Sequence, residues 1–85
     1  MTQKNLVLNE PTEQEIKAQN KWVLAELKKG RKLSFLEALH EKEIARLAAR
    51  IHDLRQNHLI ETEMITVTNS SNVKKRFARY YIKRS

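Results

Sequence analysis

The chain has 85 residues, enough for one small domain with a single modest core, because chains of this size bury only about 60% of the surface they expose when unfolded. It carries 17 basic and 10 acidic residues for a net charge of +7, with one glycine, one proline and no cysteine, which excludes disulfides, thiolate metal sites and cysteine nucleophiles. The basic excess grows along the chain: residues 61–85 hold six basic and two acidic residues, residues 1–30 five and four. Such a balance favours a polyanionic partner, nucleic acid above all. No apolar run approaches the roughly 20 residues of a membrane span, and the N-terminus has no signal-peptide core, so no membrane partner and a cytoplasmic location are expected.

Residues 1–11 lack periodicity, end at Pro11 and read as a flexible arm, leaving residues 12–85 as the domain. Thr12-Glu13-Gln14-Glu15 is a capping box, and the stripe Ile16, Val23, Leu24 and Leu27 predicts a helix over 13–29 that stops at Gly30. A second capping box, Ser34-Phe35-Leu36-Glu37, opens a short helix with Leu36 and Leu39 toward the core and a break near Glu41 and Lys42. A third helix is expected from about Glu43 to Asn57 and His58, with Ile44, Leu47, Ala48, Ile51 and Leu54 on one face. The period then becomes extended. Thr62–Thr68 is rich in β-branched residues, Asn69-Ser70-Ser71-Asn72 is turn chemistry without glycine, and Phe77–Ile82 alternates, with Tyr80, Ile82 and Ala78 inward and Arg79 and Tyr81 outward. Three helices followed by a basic hairpin make an α+β fold with the element order of a winged helix-turn-helix, the two-stranded antiparallel hairpin being the wing.

Four runs carry a family resemblance: L-E-A-L (Leu36–Leu39), R-L-A-A-R-I-H-D-L-R (Arg46–Arg55), I-E-T-E (Ile60–Glu63) and A-R-Y (Ala78–Tyr80). Together they resemble a family of small helix-turn-helix domain proteins found mostly in bacteriophages and prophages, over roughly residues 20–82. The resemblance implies a winged-helix fold and DNA binding, and supplies no target sequence.

At 100° per residue, the surface of the third helix opposite its apolar stripe presents Arg46, Ala49, Asp53 and Gln56, flanked by Ala45, Arg50 and Asn57. Small residues at Ala45 and Ala49 let the backbone approach a groove, while Arg46 and Arg50 reach guanine edges or phosphates and Gln56 reaches adenine. The plainer reading is a solvated face with an Arg50–Asp53 pair worth a few tenths of a kcal/mol. The position of this helix, third in a +7 chain, favours DNA contact. Asp53 argues the other way unless it orients an arginine or accepts from cytosine. Lys74, Lys75, Arg76 and Arg79 on the wing are candidates for phosphate contact. Arg55 points to the core side of the helix, so its expected role is structural, pairing with Glu37 or a helix-end carbonyl. Trp22 lies off the core stripe and is expected to pack against the wing edge or a partner.

His40, His52 and His58 are not spaced as a metal pair and no glycine-rich phosphate loop exists, so neither enzymatic activity, a cofactor, a metal nor a small-molecule substrate is expected. Two functional classes follow. One is sequence-specific duplex DNA binding, as a small phage-type transcription regulator or recombination accessory factor. The other is a protein-binding winged helix, such as an inhibitor of a host nucleic-acid enzyme; a homodimer is compatible with either.

Overall fold

Both capping boxes form where the sequence places them. In a computed structural model that describes residues 11–83, α1 (Glu13–Lys28) starts with Thr12 Oγ1 accepting from the Glu15 amide at 3.1 Å and Glu15 Oε1 accepting from the Thr12 amide at 2.8 Å. The reciprocal bonds satisfy two donors that the first helical turn leaves unpaired. Gly30, at φ 91°, turns the chain into β1 (Leu33–Ser34), and Ser34 and Glu37 repeat the capping box at the start of α2 (Phe35–Lys42). Then follow α3 (Leu47–Leu54), β2 (Ile60–Thr68) and β3 (Lys74–Ile82), three helices and one antiparallel sheet. The arm expected over residues 1–11 lies, apart from Pro11, outside the described residues.

The sheet has the order β1-β3-β2, so the wing is not an isolated hairpin. Its return strand is central, with Leu33 opposite Tyr80 on one side and Ile60 opposite Ile82 on the other. Two residues are too few to show a period, which hides β1 inside the basic link of the sequence. The tip needs no glycine. Asn72 takes the left-handed conformation at φ 64°, and Asn69 Oδ1 accepts from the amides of Ser71 and Val73 at 2.8 and 3.1 Å. Asparagine tolerates this region and caps its own turn, so two asparagines replace the glycine.

Helices and sheet close on one core. Val23 and Leu27 of α1, Leu33 of β1 and Ala38 of α2 are fully buried, joined by Ile44, Leu47, Ile51, Leu54 and Ile60. Leu24, Tyr80 and Ile82 pack against this cluster from its margin, as does Trp22, which sits beside Lys42, Glu43 and Ile44 and not at the wing edge. Two expectations for α2 and α3 need correction. Leu36 is 61% exposed, because α2 turns its smallest residue, Ala38, inward and approaches the core closely there, leaving Leu39 half-buried. The third helix is two turns, not four: Glu43 ends α2 in the left-handed region at φ 56°, and the Ile44 amide donates to the Ala38 carbonyl at 3.2 Å. Ile44 therefore reaches the core from a turn and not from a helix. A left-handed glutamate costs of order 1 kcal/mol and leaves no glycine signal in the sequence.

Arg55 is structural as expected, but its partners lie on β2: Nε donates to the Ile60 carbonyl at 3.0 Å and the guanidinium donates to Thr62 Oγ1 at 2.7 Å. It also stands 6.0 Å from the centre of the Tyr80 ring, so it ties the end of α3 to two strands. A second arginine, Arg31, bridges the helices, bonding Glu26 of α1 at 2.9 Å and Glu41 of α2 through both guanidinium nitrogens. Lys29 and then Arg31 hold the Glu26 carboxyl below its usual 4.5, and Arg31 does the same to Glu41.

Two outcomes follow. Ile51, 1% exposed, sits at the centre of the core, so Ile51→Ala should lower the unfolding free energy by about 2 to 5 kcal/mol; a loss under about half a kcal/mol in denaturant titration would place it outside. Because the Glu26 and Glu41 pKa values are lowered on folding, the stability they contribute is complete above 4.5 and is lost as pH falls through the lowered values. Arg31→Ala should therefore melt below the native chain at about pH 7, and the gap should narrow as pH falls below 4.5 and the two carboxylates take up protons. A gap independent of pH would assign the arginine a packing role alone.

Candidate nucleic-acid interface

Leu47, Arg50, Ile51 and Leu54 are the buried residues of α3, spaced i, i+3, i+4 and i+7, so the helix is rotated by comparison with its apolar pattern. Ala48, expected inside, is exposed, and Arg50, expected on the outer flank, is 6% exposed. The cause lies on α1, where the facing positions are polar. Gln19 Oε1 accepts from the Arg50 guanidinium at 3.2 Å, Asp53 Oδ2 pairs with it at 3.3 Å, and the Asn20 amide donates to the same Asp53 oxygen at 3.3 Å. Arg50 and Asp53 thus form the anticipated i, i+3 pair, but it seals the contact between two helices and does not sit on a solvated face. A signal for this was present. Gln19 and Asn20 occur where the stripe of α1 would otherwise continue inward, and such polar positions require polar partners.

What remains exposed on and beside α3 is Ala45, Arg46, Ala48, His52, Arg55, Gln56 and Asn57, with Ala49 and Asp53 half-buried. Arg46 occupies the N-cap position, where the amides of the first turn and the helix dipole add a partial positive charge to its own. Gln56 lies in the turn after the last helical residue, farther from this end than helical counting suggests. His52, unassigned by the sequence reading, shares the exposed side.

The wing approaches the same end of α3. Lys74, Lys75 and Arg76 are all exposed, at the tip end of β3. Between them and α3 lies a cleft of about 520 Å³, walled by Ala45, Arg46 and Ala49 on one side and by Lys75, Arg76 and Phe77 on the other. Arg46 and two of the wing cations, Lys75 and Arg76, nearly thirty residues away in sequence, therefore border one depression.

Arg79 does not join them. It is directly opposite Glu63 across the strands and pairs with it at 3.0 Å, on the sheet face opposite to Tyr80 and Ile60. Lys32 meets the same carboxylate at 3.1 Å and lies 5.0 Å from the centre of the Tyr81 ring. Lys32, and after it Arg79, hold the Glu63 carboxyl below the usual carboxylate range. The outward direction expected for Arg79 and Tyr81 is correct for the sheet, but it leads into this half-buried cross-strand cluster.

Among the described residues no cluster of three or more His, Asp or Glu side chains is arranged to hold a metal, and no helix is long and apolar enough to cross a membrane. No curated protein and no solved structure matches the chain significantly. The winged helix-turn-helix domain family matches residues 18–85, which includes all three strands, α2, α3 and most of α1. With the helix order, the β1-β3-β2 sheet and the wing beside the third helix, that match assigns the chain to the winged helix-turn-helix family.

Proposed function

We propose that the domain binds duplex DNA, with the N-terminal end of α3 in the major groove and the wing on the phosphate backbone, as a cytoplasmic phage-type transcription regulator or recombination accessory factor. One observation carries this reading: Arg46 at the cap of α3 and Lys75 and Arg76 of the wing line a single cleft, so two basic elements face one polyanion together. In this assignment Ala45 and Ala49 permit close approach, Arg46 reads or grips the duplex, and Lys74, Lys75 and Arg76 neutralise phosphates. Gln56 is a peripheral contact. Arg50, Asp53 and Arg79 act indirectly, holding α3 against α1 and β2 against β3. The domain acts by binding, without chemistry of its own. A protein partner is the second reading, favoured by the exposure of Phe35, Leu36 and Phe77 around the same cleft.

Selecting bound sequences from a random duplex pool, followed by salt titration on the preferred site, tests the main reading. Replacing Lys74, Lys75 and Arg76 with alanine should weaken binding to every duplex alike and flatten the slope of log affinity against log salt by up to about three units. An unchanged slope would return these residues to an ordinary solvated turn. Arg46→Ala should cost roughly 1 to 3 kcal/mol on the preferred site and much less on random duplex if the arginine pairs with a guanine. Equal losses on both would make it a phosphate contact.

A further inference from the structure

Phe35 is 46% exposed, Leu36 61% and Phe77 39%, and all three line the cleft between α3 and the wing. A duplex presents phosphates and sugars to this distance and gains little from them, so the apolar lining is surplus to DNA binding. Their exposure has a topological origin. β1 is two residues long and pairs with Arg79 and Tyr80 alone, while β2 runs the whole length of β3. On the β1 side, the stretch Lys74–Ala78 therefore has no neighbouring strand among the described residues, and Lys75–Ala78 line the cleft. The result is an open strand edge of five residues, roughly 16 Å, beside an apolar wall and beneath three cations.

We infer that this cleft docks an extended segment of a protein partner, rich in both acidic and apolar residues, as an added strand on the open edge of β3. An extended chain satisfies the edge through its own backbone, which a helix or a duplex does not. Along β3, Lys75 and Phe77 share one face and Arg76 and Ala78 the other, so each face of an added strand meets one cation and one apolar side chain of β3, with Phe35, Leu36 and Arg46 completing the cleft. Charge selects against a second copy of this chain, because two +7 molecules would bring basic rims together. The cations are those assigned above to the duplex, so the segment and DNA exclude one another; this exclusion, unlike the docking itself, rests on the proposed DNA-binding reading.

The experiment uses the full chain, isotopically labelled, and a synthetic octapeptide alternating glutamate with valine. The two controls are octaglutamate and the same alternation with lysine for glutamate. The Glu-Val peptide should bind saturably, shift the amide resonances of Ser34–Leu36, Ala45–Ala49 and Lys74–Ala78, and slow hydrogen exchange within Lys74–Ala78. Neither control should do so. Leu36→Gln, which leaves the net charge unchanged at an exposed site outside the DNA contacts, should weaken the peptide about tenfold, the scale of one withdrawn leucine contact, and leave duplex affinity unaltered. Equal binding of octaglutamate would reduce the site to polyanion attraction and overturn the proposal. So would shifts confined to other surfaces, or no peptide binding by a chain that binds duplex. Peptide binding by a chain that binds no duplex would uphold the docking and remove the DNA reading. If both bind, the duplex should displace the peptide, and simultaneous occupancy would overturn the exclusion.

Discussion

A single left-handed residue sets the geometry on which the interface depends. Glu43 at φ 56° ends α2, drops Ile44 into the core, and leaves only Ala45 and Arg46 before α3 begins. With a right-handed residue there, α2 would run on and the Arg46 side chain would lie partway along a long helix instead of at its cap. The cost of the conformation is balanced by burial of Ile44, a fully enclosed side chain whose transfer from water contributes about 1.5 to 3 kcal/mol. The position and the length of α3 are thus settled in the turn before it.

The rotation of α3 is settled by a different contact. A helix with leucine and isoleucine at 47, 51 and 54 has its apolar direction fixed, but the flank that accompanies it inward can be Ala48 or Arg50. Gln19 and Asp53 partner the Arg50 guanidinium, and Asn20 holds the Asp53 carboxylate in place; a buried charge so partnered is tolerated where an unpartnered one is not. Arg50 goes in, and small alanines are left on the outside. The bald surface of α3 is the consequence of this polar contact.

Much of the fold was legible in the sequence because its signals are local. Both capping boxes, the stop at Gly30, the hairpin turn at Asn69–Asn72 and the inward set Tyr80 and Ile82 need only neighbouring residues to be recognised. The rest depends on contacts far apart in the chain. β1 exists because Leu33 meets Tyr80, Arg50 is buried because Gln19 faces it, and Arg79 is engaged because Glu63 is opposite. The same division holds at the interface. Arg46 and the wing cations stand out in the sequence by charge and position as candidates, whereas the cleft that Arg46, Lys75 and Arg76 line and its apolar wall arise only when β3 is laid beside α2 and α3.

The central place of β3 in the sheet bears on how the chain folds. Among the described residues β3 is the last element to leave the ribosome, yet it is the one to which both other strands pair. The helices, started by their own capping boxes, can form early from local contacts. The pairing of Leu33 with Tyr80 must instead close a long loop and comes late. Until β3 arrives, Leu33 and Ile60 have no strand partners, and the nascent chain carries exposed apolar segments of the kind that chaperones bind.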